Sequence, residues 1–402
     1  MIPVARPVTG EEEVEAIRRP LLSGWVTQGP EVEAFEREFA AYVGAPHAVA
    51  VSNCTTALHL ALRAVGVGSG DEVITVSHSF IATANAVRYC GARPVFVDVQ
   101  PDTFNIDPPR IEAAIGPRTR AILCVHQVGM PCDIPAILAI ARRHGLAVVE
   151  DAACAAGSEI LIDGAWQRIG RSHGDIACFS FHPRKLLTTG DGGMLTTRNP
   201  ELDRLFRRWR QHSMSVSDAQ RHAASEVVFE AYDELGFNYR MTDLQAAVGR
   251  VQLQRLPGIV ERRRARAERY RTLLAGIGLA LPREPEWARS NWQSFTVRLP
   301  AGVDQQAVMQ AMLETGVATR RAVMCSHREA AYRTAEPWAC GPAPARGCDH
   351  PAGRCGRLAT SERIQDRGII LPLYDQMTDA DQQRVAEALR IACRAAAPAR
   401  AA

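Results

Sequence analysis

The 402-residue sequence lacks the patterns that identify several large protein classes. No G-x-G-x-x-G follows the first expected strand, so the main signature of a nicotinamide-binding enzyme is missing. No window approaches the roughly 18 consecutive apolar residues that a membrane span needs. The formal charge is only +3 and no basic run has interleaved aromatics, which argues against nucleic acid or an anionic membrane as a partner.

The amino-terminal end shows no targeting pattern, because no apolar core follows Arg6 and the chain turns acidic at Glu11. The cysteine count of 11 is odd, and Cys124 and Cys178 lie in apolar runs that we expect to be buried strands. Reduced, buried thiols are therefore the expected state, as in cytosolic proteins. These features predict a cytoplasmic protein.

One group of cysteines resembles a metal site only loosely. The spacing of Cys340, Cys348, His350 and Cys355 matches none of the usual zinc ligand pairs, such as C-x2-C. The surrounding glycines and prolines favour an insertion loop at about residues 337–357. We therefore expect no bound metal.

Apolar runs alternate with helical segments through the first half of the chain, for example at residues 94–99, 120–125 and 146–150. Such alternation is typical of an α/β fold with a mostly parallel sheet covered on both faces. A chain of this length exceeds the size at which one core keeps growing, so two domains are expected. We predict a large domain at 1–256, which begins with a helical segment, and a smaller domain at 257–402.

Lys185 follows an expected strand, Ile176 to Phe181, which ends before Pro183 because proline cannot donate a ladder hydrogen bond. The glycine-rich segment 190–193 then lets the chain turn and return as a second strand. An amine between two apolar strands can be partly desolvated, which lowers its pKa and makes it a usable nucleophile. For an isolated lysine, a solvated loop position is the ordinary alternative.

A second apolar strand delivers Glu150 and Asp151 at its carboxyl end, where open α/β sheets place their ligands. A lysine at one strand end and a carboxylate at another are the pair that pyridoxal phosphate requires. The lysine holds the aldehyde as an imine, and the carboxylate keeps the pyridine nitrogen protonated. Lys185 and Asp151 are thus the candidate catalytic residues, with pyridoxal 5'-phosphate as the candidate cofactor.

Five segments together carry a resemblance to a known family: VSNCTTAL at 51–58, EDAA at 150–153, FSFHPRK at 179–185, GDGG at 190–193 and GFNYRMTDLQAA at 236–247. In this order, from about Pro3 to its end, the chain resembles the DegT/DnrJ/EryC1/StrS family of pyridoxal-phosphate sugar aminotransferases. The resemblance implies the fold type I of PLP-dependent transferases, as in aspartate aminotransferase. A mostly parallel seven-stranded sheet is then expected in the large domain, beside a smaller C-terminal α+β domain.

The resemblance also implies a set of cofactor contacts. Thr55 and Thr56 would form a phosphate cup where a strand feeds a helix, although an ordinary helix cap explains the pattern equally well. Phe80 would stack on the pyridine ring, with a core phenylalanine as the alternative. Cys154 stands where relatives usually carry Gln or His, and a thiol is a poor substitute for such a donor near the ring's phenolic oxygen. The expected contacts are Thr55, Thr56, Phe80, Asp151, Cys154, Ser180, Lys185 and Asn238.

Asn238 carries the prediction of a homodimer. In the family, an asparagine like Asn238 crosses to the partner subunit and meets the phosphate of the other active site, so that the two sites are shared reciprocally. Local capping of the backbone is the alternative for Asn238 and Arg240. Thr242 is the expected N-cap of the long helix that follows.

Substrate contacts are expected from several parts of the chain. The loop with Trp25 and Thr27 approaches the substrate side of the cofactor in the family, although Trp25 can equally be a packing residue. His182 and Arg240 lie within the segments that carry the family resemblance. The basic residues Arg320, Arg321, His327 and Arg328 follow one another closely, and they would face an anionic part of the substrate, such as a diphosphate, or form a solvated basic edge.

The resemblance implies transamination in two half-reactions. Glutamate or glutamine would donate the amino group, with the freed Lys185 as general base, and a keto group on a nucleotide-linked sugar would accept it. The segments 321–332 and 371–378 look most like perosamine-synthase-type members. The family branch that performs dehydration replaces the lysine with histidine, whereas this chain keeps lysine.

Three alternatives remain open from the sequence. The acceptor can be a keto-cyclitol or another antibiotic-pathway keto sugar, or the protein can be a catalytically silent pyridoxal-phosphate regulator. A dinucleotide-dependent reductase is the third, and it would not be yellow. Conversion of the yellow form by glutamate or glutamine alone would separate an aminotransferase from a regulator.

Overall fold

A central sheet of eight strands organises the fold in a computed structural model that describes residues 1–216, 221, 225–333, 338–341 and 354–396. The strands are β1 (His47–Val51), β2 (Glu72–Val76), β3 (Arg93–Val97), β4 (Thr119–Val125), β5 (Ala147–Asp151), β6 (Glu159–Ile162), β7 (Ala165–Arg168), β8 (Ile176–Ser180), β9 (Gly193–Thr197), β10 (Ala288–Arg289), β11 (Phe295–Arg298), β12 (Arg320–Arg321), β13 (Ala339–Cys340) and β14 (Gly368–Leu371).

The described helices are α1 (Glu11–Ser23), α2 (Pro30–Val43), α3 (Cys54–Ala64), α4 (Ala82–Tyr89), α5 (Pro108–Ala114), α6 (Ile134–His144), α7 (Pro200–Trp209), α8 (Asp243–Leu273), α9 (Gln305–Glu314), α10 (Ala330–Arg333), α11 (Ala359–Arg367) and α12 (Asp379–Ala395). None of these helices combines the length and the hydropathy needed to cross a membrane.

The strand order of the central sheet is β1-β9-β8-β5-β4-β2-β3-β13. In this sheet only β9 runs antiparallel to its neighbours, so the predicted mostly parallel sheet is confirmed. Seven of the strands come from the first 200 residues, but the sheet has eight strands rather than the expected seven. The eighth is the two-residue β13, which reaches the edge of the sheet from the C-terminal part and pairs with β3.

Helices cover both faces of the central sheet, as the alternating pattern predicts. On one face, Phe35 and Phe39 of α2 pack in a large core with residues of β1, β2 and β8. On the other face, Leu58 and Leu62 of α3 pack against β5 and β9. The polar ends of the strands are therefore the part of the sheet that remains available for a ligand.

The C-terminal part forms a three-stranded antiparallel sheet in the order β11-β14-β12 and has a hydrophobic cluster of its own. The amino terminus joins this cluster, because Ile2 is buried and pairs with Val317. Helix α8 runs without interruption across residues 256 and 257. The division into domains at 1–256 and 257–402 remains a prediction.

The insertion expected at about residues 337–357 lies only partly within the described residues. Cys340, in β13, and Cys355 are both buried. Cys348 and His350 lie outside the described residues, so the zinc question at that segment stays open. Within the described part of the chain, no group of histidine, cysteine or acidic residues is arranged to hold a metal ion.

Candidate active site

Lys185 and Asp151 come to the same edge of the sheet because β5 and β8 are adjacent parallel strands. Asp151 is the last residue of β5 and pairs in register with Cys178 of β8. Strand β8 ends at Ser180, one residue earlier than expected, and the chain then turns at Pro183. The Lys185 backbone N–H donates to the His182 carbonyl at 2.8 Å, which places Lys185 just beyond the strand end.

Lys185 is a partly exposed residue whose amine donates to the sulfur of Cys154, with Nζ and Sγ 3.0 Å apart. Burial lowers the pKa of this amine, but the adjacent Cys154 sulfur and the Asp151 carboxylate raise it, and the net pKa lies above its ordinary value. The prediction that the pKa of Lys185 is lowered is therefore wrong for the protein without its cofactor. The partial desolvation is present, but nearby groups that favour the charged form outweigh it.

Asp151 is buried, and both of its carboxylate oxygens accept hydrogen bonds. Thr83 Oγ1 donates to Oδ2 at 2.8 Å, and the Ala153 backbone N–H donates to Oδ1 at 3.2 Å. Burial raises the pKa of Asp151 above its ordinary value, although Thr83, Ala153 and the Lys185 charge act in the opposite direction. A cationic partner would stabilise the charged form of this buried carboxylate, because it offsets the cost of desolvation.

Helix α3 begins at the end of β1 and presents its N-terminus beside this edge. Asn53 caps the helix by accepting from the Thr56 backbone N–H at 3.0 Å, and the Thr56 hydroxyl donates back to the Asn53 carbonyl at 2.7 Å. Thr56 thus takes part in the helix cap, as the capping alternative predicts. Thr55 is partly exposed, and its hydroxyl has no hydrogen-bond partner among the described residues.

Strand β9 passes very close to this helix start. A Cβ atom added at Gly193 would lie 2.5 Å from the carbonyl carbon of Asn53, so only glycine allows the approach. The N-terminus of α3, where the phosphate cup with Thr55 and Thr56 is expected, is thus bordered by the backbone of two segments, the end of β1 and the start of β9.

The other expected cofactor contacts lie near strand ends. Phe80 follows β2 and is 63% exposed, so its ring is not part of the core and the packing alternative is excluded. Ser180 ends β8, is partly exposed and accepts from the His182 backbone N–H at 3.4 Å. Asn238 is exposed, and the carbonyl of its neighbour Tyr239 accepts from the Ser52 backbone N–H at 2.8 Å within the same chain.

The loop with Trp25 and Thr27 is held in place by Asp243. The Thr27 carbonyl accepts from the Asp243 backbone N–H at 3.0 Å, and the Asp243 carboxylate accepts three backbone N–H groups at the start of α2. Thr27 is exposed, whereas Trp25 is partly buried and donates its indole N–H to the Gln28 carbonyl at 3.0 Å. Asp243 is a positioning residue that the sequence motif contained but did not explain.

Three of the four basic residues of the C-terminal part already have side-chain partners within the chain. Arg321 pairs with Glu329, and Arg328 pairs with Asp366 and Glu362. His327 is buried with both ring nitrogens engaged, at 2.6 Å from Ser77 Oγ and 3.1 Å from Glu362 Oε1, so it has no free nitrogen for a substrate. Arg320 is exposed, and its side chain has no ion-pair or hydrogen-bond partner among the described residues.

Arg320 lines a groove together with Arg184, the residue before Lys185. The side chain of Arg184 also lacks a partner among the described residues. The groove is completed by Val4, Ala5, Gln293, Ser294, Ile370, Leu371 and Leu373. Two guanidinium groups without side-chain partners among the described residues, one of them on the residue before Lys185, make a favourable place for an anion.

Comparison with known proteins agrees with this geometry. The model of the DegT/DnrJ/EryC1/StrS aminotransferase family matches residues 7–390. The spore coat polysaccharide biosynthesis protein SpsC of Bacillus subtilis (strain 168) is 39% identical over 394 residues, which cover 97% of this chain and 96% of that protein.

The chain belongs to the DegT/DnrJ/EryC1/StrS aminotransferase family. Two solved structures are similar over nearly their whole length. The putative sugar aminotransferase Spr1654 from Streptococcus pneumoniae, in its PMP form, is 25% identical with a TM-score of 0.89, and the match covers 98% of this chain and 100% of that chain. DesI, solved in the presence of its TDP-sugar product, is 32% identical with a TM-score of 0.83, and the match covers 98% of this chain and 93% of that chain.

This aminotransferase therefore has fold type I and uses pyridoxal phosphate, as its family does. Its residues fit that group: the α3 N-terminus with the unpartnered Thr55 hydroxyl suits a phosphate, and the buried Asp151 suits a protonated ring nitrogen. When bound, the cofactor supplies an electron sink for proton transfer at carbon. Lys185 would hold it covalently, and the exposed ring of Phe80 would lie against its plane.

Asn291 is a residue of this aminotransferase that the sequence motifs did not indicate. Its side-chain N–H groups donate to the carbonyls of Cys154 and Ala156, both at 2.8 Å. Two residues later, the Gln293 side chain donates to the Arg184 carbonyl at 3.0 Å. One short segment before β11 thus fixes the backbone on both sides of the contact between Lys185 and Cys154.

The sequence nevertheless contained a stronger signal for Lys185 than its spacing. Lys185 is the only lysine among the 402 residues, and all the other basic residues that are not histidine are arginines. Arginine serves as well as lysine on a solvated surface but cannot be deprotonated to a nucleophile. A single lysine in such a chain indicates a chemical role.

Proposed function

We propose that this aminotransferase transfers an amino group from glutamate or glutamine to a keto group of a nucleotide-linked sugar. The observation that carries the proposal is the position of Lys185, just beyond the end of β8 and directly after Arg184, which lines a groove together with Arg320. Lys185 provides the amine that moves a proton, and the two arginines provide charge for an anionic substrate.

The groove favours a nucleotide-linked sugar over a keto-cyclitol. A diphosphate carries the charge that unpaired guanidinium groups bind, whereas an unmodified cyclitol has no such group. DesI, which shares the fold, was solved with a TDP-sugar product. The carboxylate of the amino donor is a second anion that these arginines would accept.

The residues have separate tasks in the proposed reaction. Asp151 keeps its negative charge directed at the cofactor ring, while Thr83 and Ala153 orient that carboxylate. Lys185 takes the proton from the donor and later returns a proton to the product, which requires the amine to be free of the cofactor at that stage. The loop with Trp25 and Thr27 would border the acceptor.

A homodimer with shared active sites is part of the proposal. Between residues 225 and 235 the side chains of Val227, Phe229 and Leu235 are 85%, 89% and 72% exposed. A group of exposed apolar side chains of this kind is typical of a protein interface. We also propose a cytoplasmic location, which agrees with the free thiols of all ten described cysteines.

The test begins with the donor half-reaction alone. Glutamate or glutamine should convert the yellow holoenzyme to the amine form of the cofactor, and a panel of nucleotide-linked keto sugars should then restore the yellow form with one aminated product. Lys185→Ala should lose both the turnover and the absorbance of the bound cofactor. Turnover by Lys185→Ala, or no response of the wild type to either donor, would contradict the proposal.

A paired measurement tests the acceptor class. Arg320→Gln should raise the KM for a nucleotide-linked sugar by about tenfold or more, because a charge-assisted hydrogen bond contributes about 1.5–3 kcal/mol. Arg321→Gln, whose side chain is already paired with Glu329, is the matched control and should change that KM little. An uncharged keto-cyclitol that is aminated equally well by the wild type and by Arg320→Gln would favour the cyclitol instead.

A further inference from the structure

The contact between Lys185 and Cys154 has no task in the proposed transamination. Nζ and Sγ are 3.0 Å apart, and both side chains are partly exposed. The backbone of Cys154 is held by Asn291, and that of Arg184, next to Lys185, by Gln293. These hydrogen bonds hold the backbone near Cys154 and near Lys185, and so favour a short distance between Sγ and Nζ.

Cys154 differs from the other described cysteines. Seven of the ten are buried, and only Cys90, Cys154 and Cys393 are partly exposed. The Cys90 sulfur faces the His59 carbonyl at 3.9 Å, and burial raises the pKa of Cys90 to about 12 and that of Cys393 to about 11. Lys185 is the only lysine of the chain, and Cys154 is the cysteine to which its amine donates a hydrogen bond.

We propose that Cys154 and Lys185 form an oxidisable pair that closes to a covalent sulfur–nitrogen bond when the enzyme meets a hydroperoxide. In the first step the sulfur is oxidised to a sulfenic acid and the peroxide is reduced to water or an alcohol. In the second step the lone pair of the amine attacks sulfur, the S–O bond breaks, and hydroxide leaves with the amine proton as water. The net change is one peroxide reduced and two hydrogens lost from the protein.

Closure of this bond removes the amine that the cofactor and the substrate need, so the modified enzyme is inactive until a thiol reductant reopens it. The second step needs the neutral form of the amine. An alkylammonium group loses its proton only at alkaline pH, so the neutral amine becomes abundant there. Closure should thus become faster as the pH increases.

Mass spectrometry of the holoenzyme tests the pair. After hydrogen peroxide treatment and digestion without reductant, the peptides with Cys154 and Lys185 should be joined in the fraction of molecules whose Lys185 is free of the cofactor, with a mass lower than their sum by two hydrogens. Dithiothreitol should separate them. Cys154→Ser should lose the joined species, whereas Cys90→Ser and Cys393→Ser, which change the other two partly exposed thiols, should retain it.

A second experiment, in which the amino donor is added first, distinguishes a failure of the Cys154–Lys185 pair from a failure of the proposed amino donors. If glutamate or glutamine frees Lys185 from the cofactor, the yield of joined peptide should rise when the donor is added before the peroxide. An equal yield with and without either donor would support the pair and contradict the proposed donors. Oxidation of Cys154 with Lys185 left unmodified, or no oxidation of Cys154, would overturn the pair.

Discussion

Thr83 and Asp151 show how a single hydrogen bond can influence the charge of a buried carboxyl group. The Thr83 hydroxyl has one proton, which it gives to Asp151 Oδ2, so the Ser79 hydroxyl, whose oxygen is 2.8 Å away, donates to Thr83. Because the carboxylate is buried, each donor that favours its charged form lowers its pKa. In the proposed mechanism Thr83 is therefore a positioning residue that acts through Asp151.

Thr83→Val removes this donor with little change in volume. The pKa of Asp151 should rise further, so the acid limb of the rate profile should move to higher pH, and kcat should fall about tenfold. Rates measured across the pH range test this. Ser79→Ala removes the more distant hydroxyl and should have a smaller effect; an unshifted acid limb in Thr83→Val would show that Thr83 is only structural.

Asp151→Asn tests the carboxylate itself. The amide retains the shape but not the charge, so the cofactor should still bind while the rate falls by about 100-fold or more. Cofactor content by absorbance and kcat for the same preparation are the two measurements. A rate near that of the wild type would contradict the role of Asp151 in holding the ring nitrogen protonated.

The candidate catalytic residues were predictable where a sequence motif placed them at the end of a strand. Lys185 and Asp151 were singled out in this way, and the structure brings them to one edge of the sheet. The raised pKa of Lys185 was not predictable, because it depends on the Cys154 sulfur that reaches it from beyond another strand end. Asn291 was missed for a similar reason: it acts through backbone carbonyls of a segment 137 residues away in sequence.

At the scale of single elements, local signals worked well for helices. Thr242 caps α8 as expected, since its side chain accepts from the Gln245 backbone N–H at 3.2 Å. The apolar spacing within residues 31–42 predicts an amphipathic helix, and α2 extends this range by one residue at each end. Strand β13 was not predictable, because two residues carry no periodic signal and their pairing with β3 is set by tertiary contact.

Asp243 stabilises the start of α2 from a distant part of the chain. Its carboxylate caps α2 from outside, because Gly29 and Val32 donate to Oδ1 and Glu31 donates to Oδ2. Asp243→Ala should lower the free energy of unfolding by about 1–2 kcal/mol, as the loss of an N-cap does, and should raise the KM of the acceptor because the loop with Trp25 loses its anchor. Asp243→Asn keeps one acceptor oxygen and should be milder.

Urea unfolding and initial rates measure the two effects of Asp243→Ala separately. A loss of stability with an unchanged KM would mean that the loop with Trp25 does not border the acceptor.

At the scale of the whole molecule, one buried carboxylate joins α2, β1 and α7. Glu36 accepts from the Ala50 backbone N–H at 2.9 Å and from Arg207 at 2.6 Å, and it also pairs with Arg210. Burial raises the pKa of Glu36, but Arg210 and Arg207 lower it more, so the net pKa lies below the ordinary 4.5. A carboxyl with a depressed pKa stabilises the fold above its ordinary pKa, and this stability is lost as pH falls through the lowered value.

Glu36→Gln should therefore cost about 3 kcal/mol of unfolding free energy near neutral pH, because it leaves the buried Arg210 and the partly buried Arg207 without their anion. The difference from the wild type should shrink as the pH falls below the ordinary 4.5. Urea unfolding at several pH values measures it. Glu33→Gln changes an exposed carboxylate of the same helix and is the control; a difference that does not depend on pH would contradict the role of the Glu36 charge.

The proposed sharing of active sites has a decisive test in mixed subunits. Lys185→Ala and Asn238→Ala should each be nearly inactive alone. If Asn238 serves the partner's site, a mixed dimer contains one site in which Lys185 and Asn238 are both intact, so activity should return on mixing and subunit exchange. If Asn238 acts within its own chain, where Tyr239 contacts Ser52, every site in the mixture lacks one of the two residues and no activity should return. Size-exclusion chromatography of each variant establishes that the dimer forms, so that a failure to regain activity can be assigned to the location of Asn238 rather than to a loss of assembly.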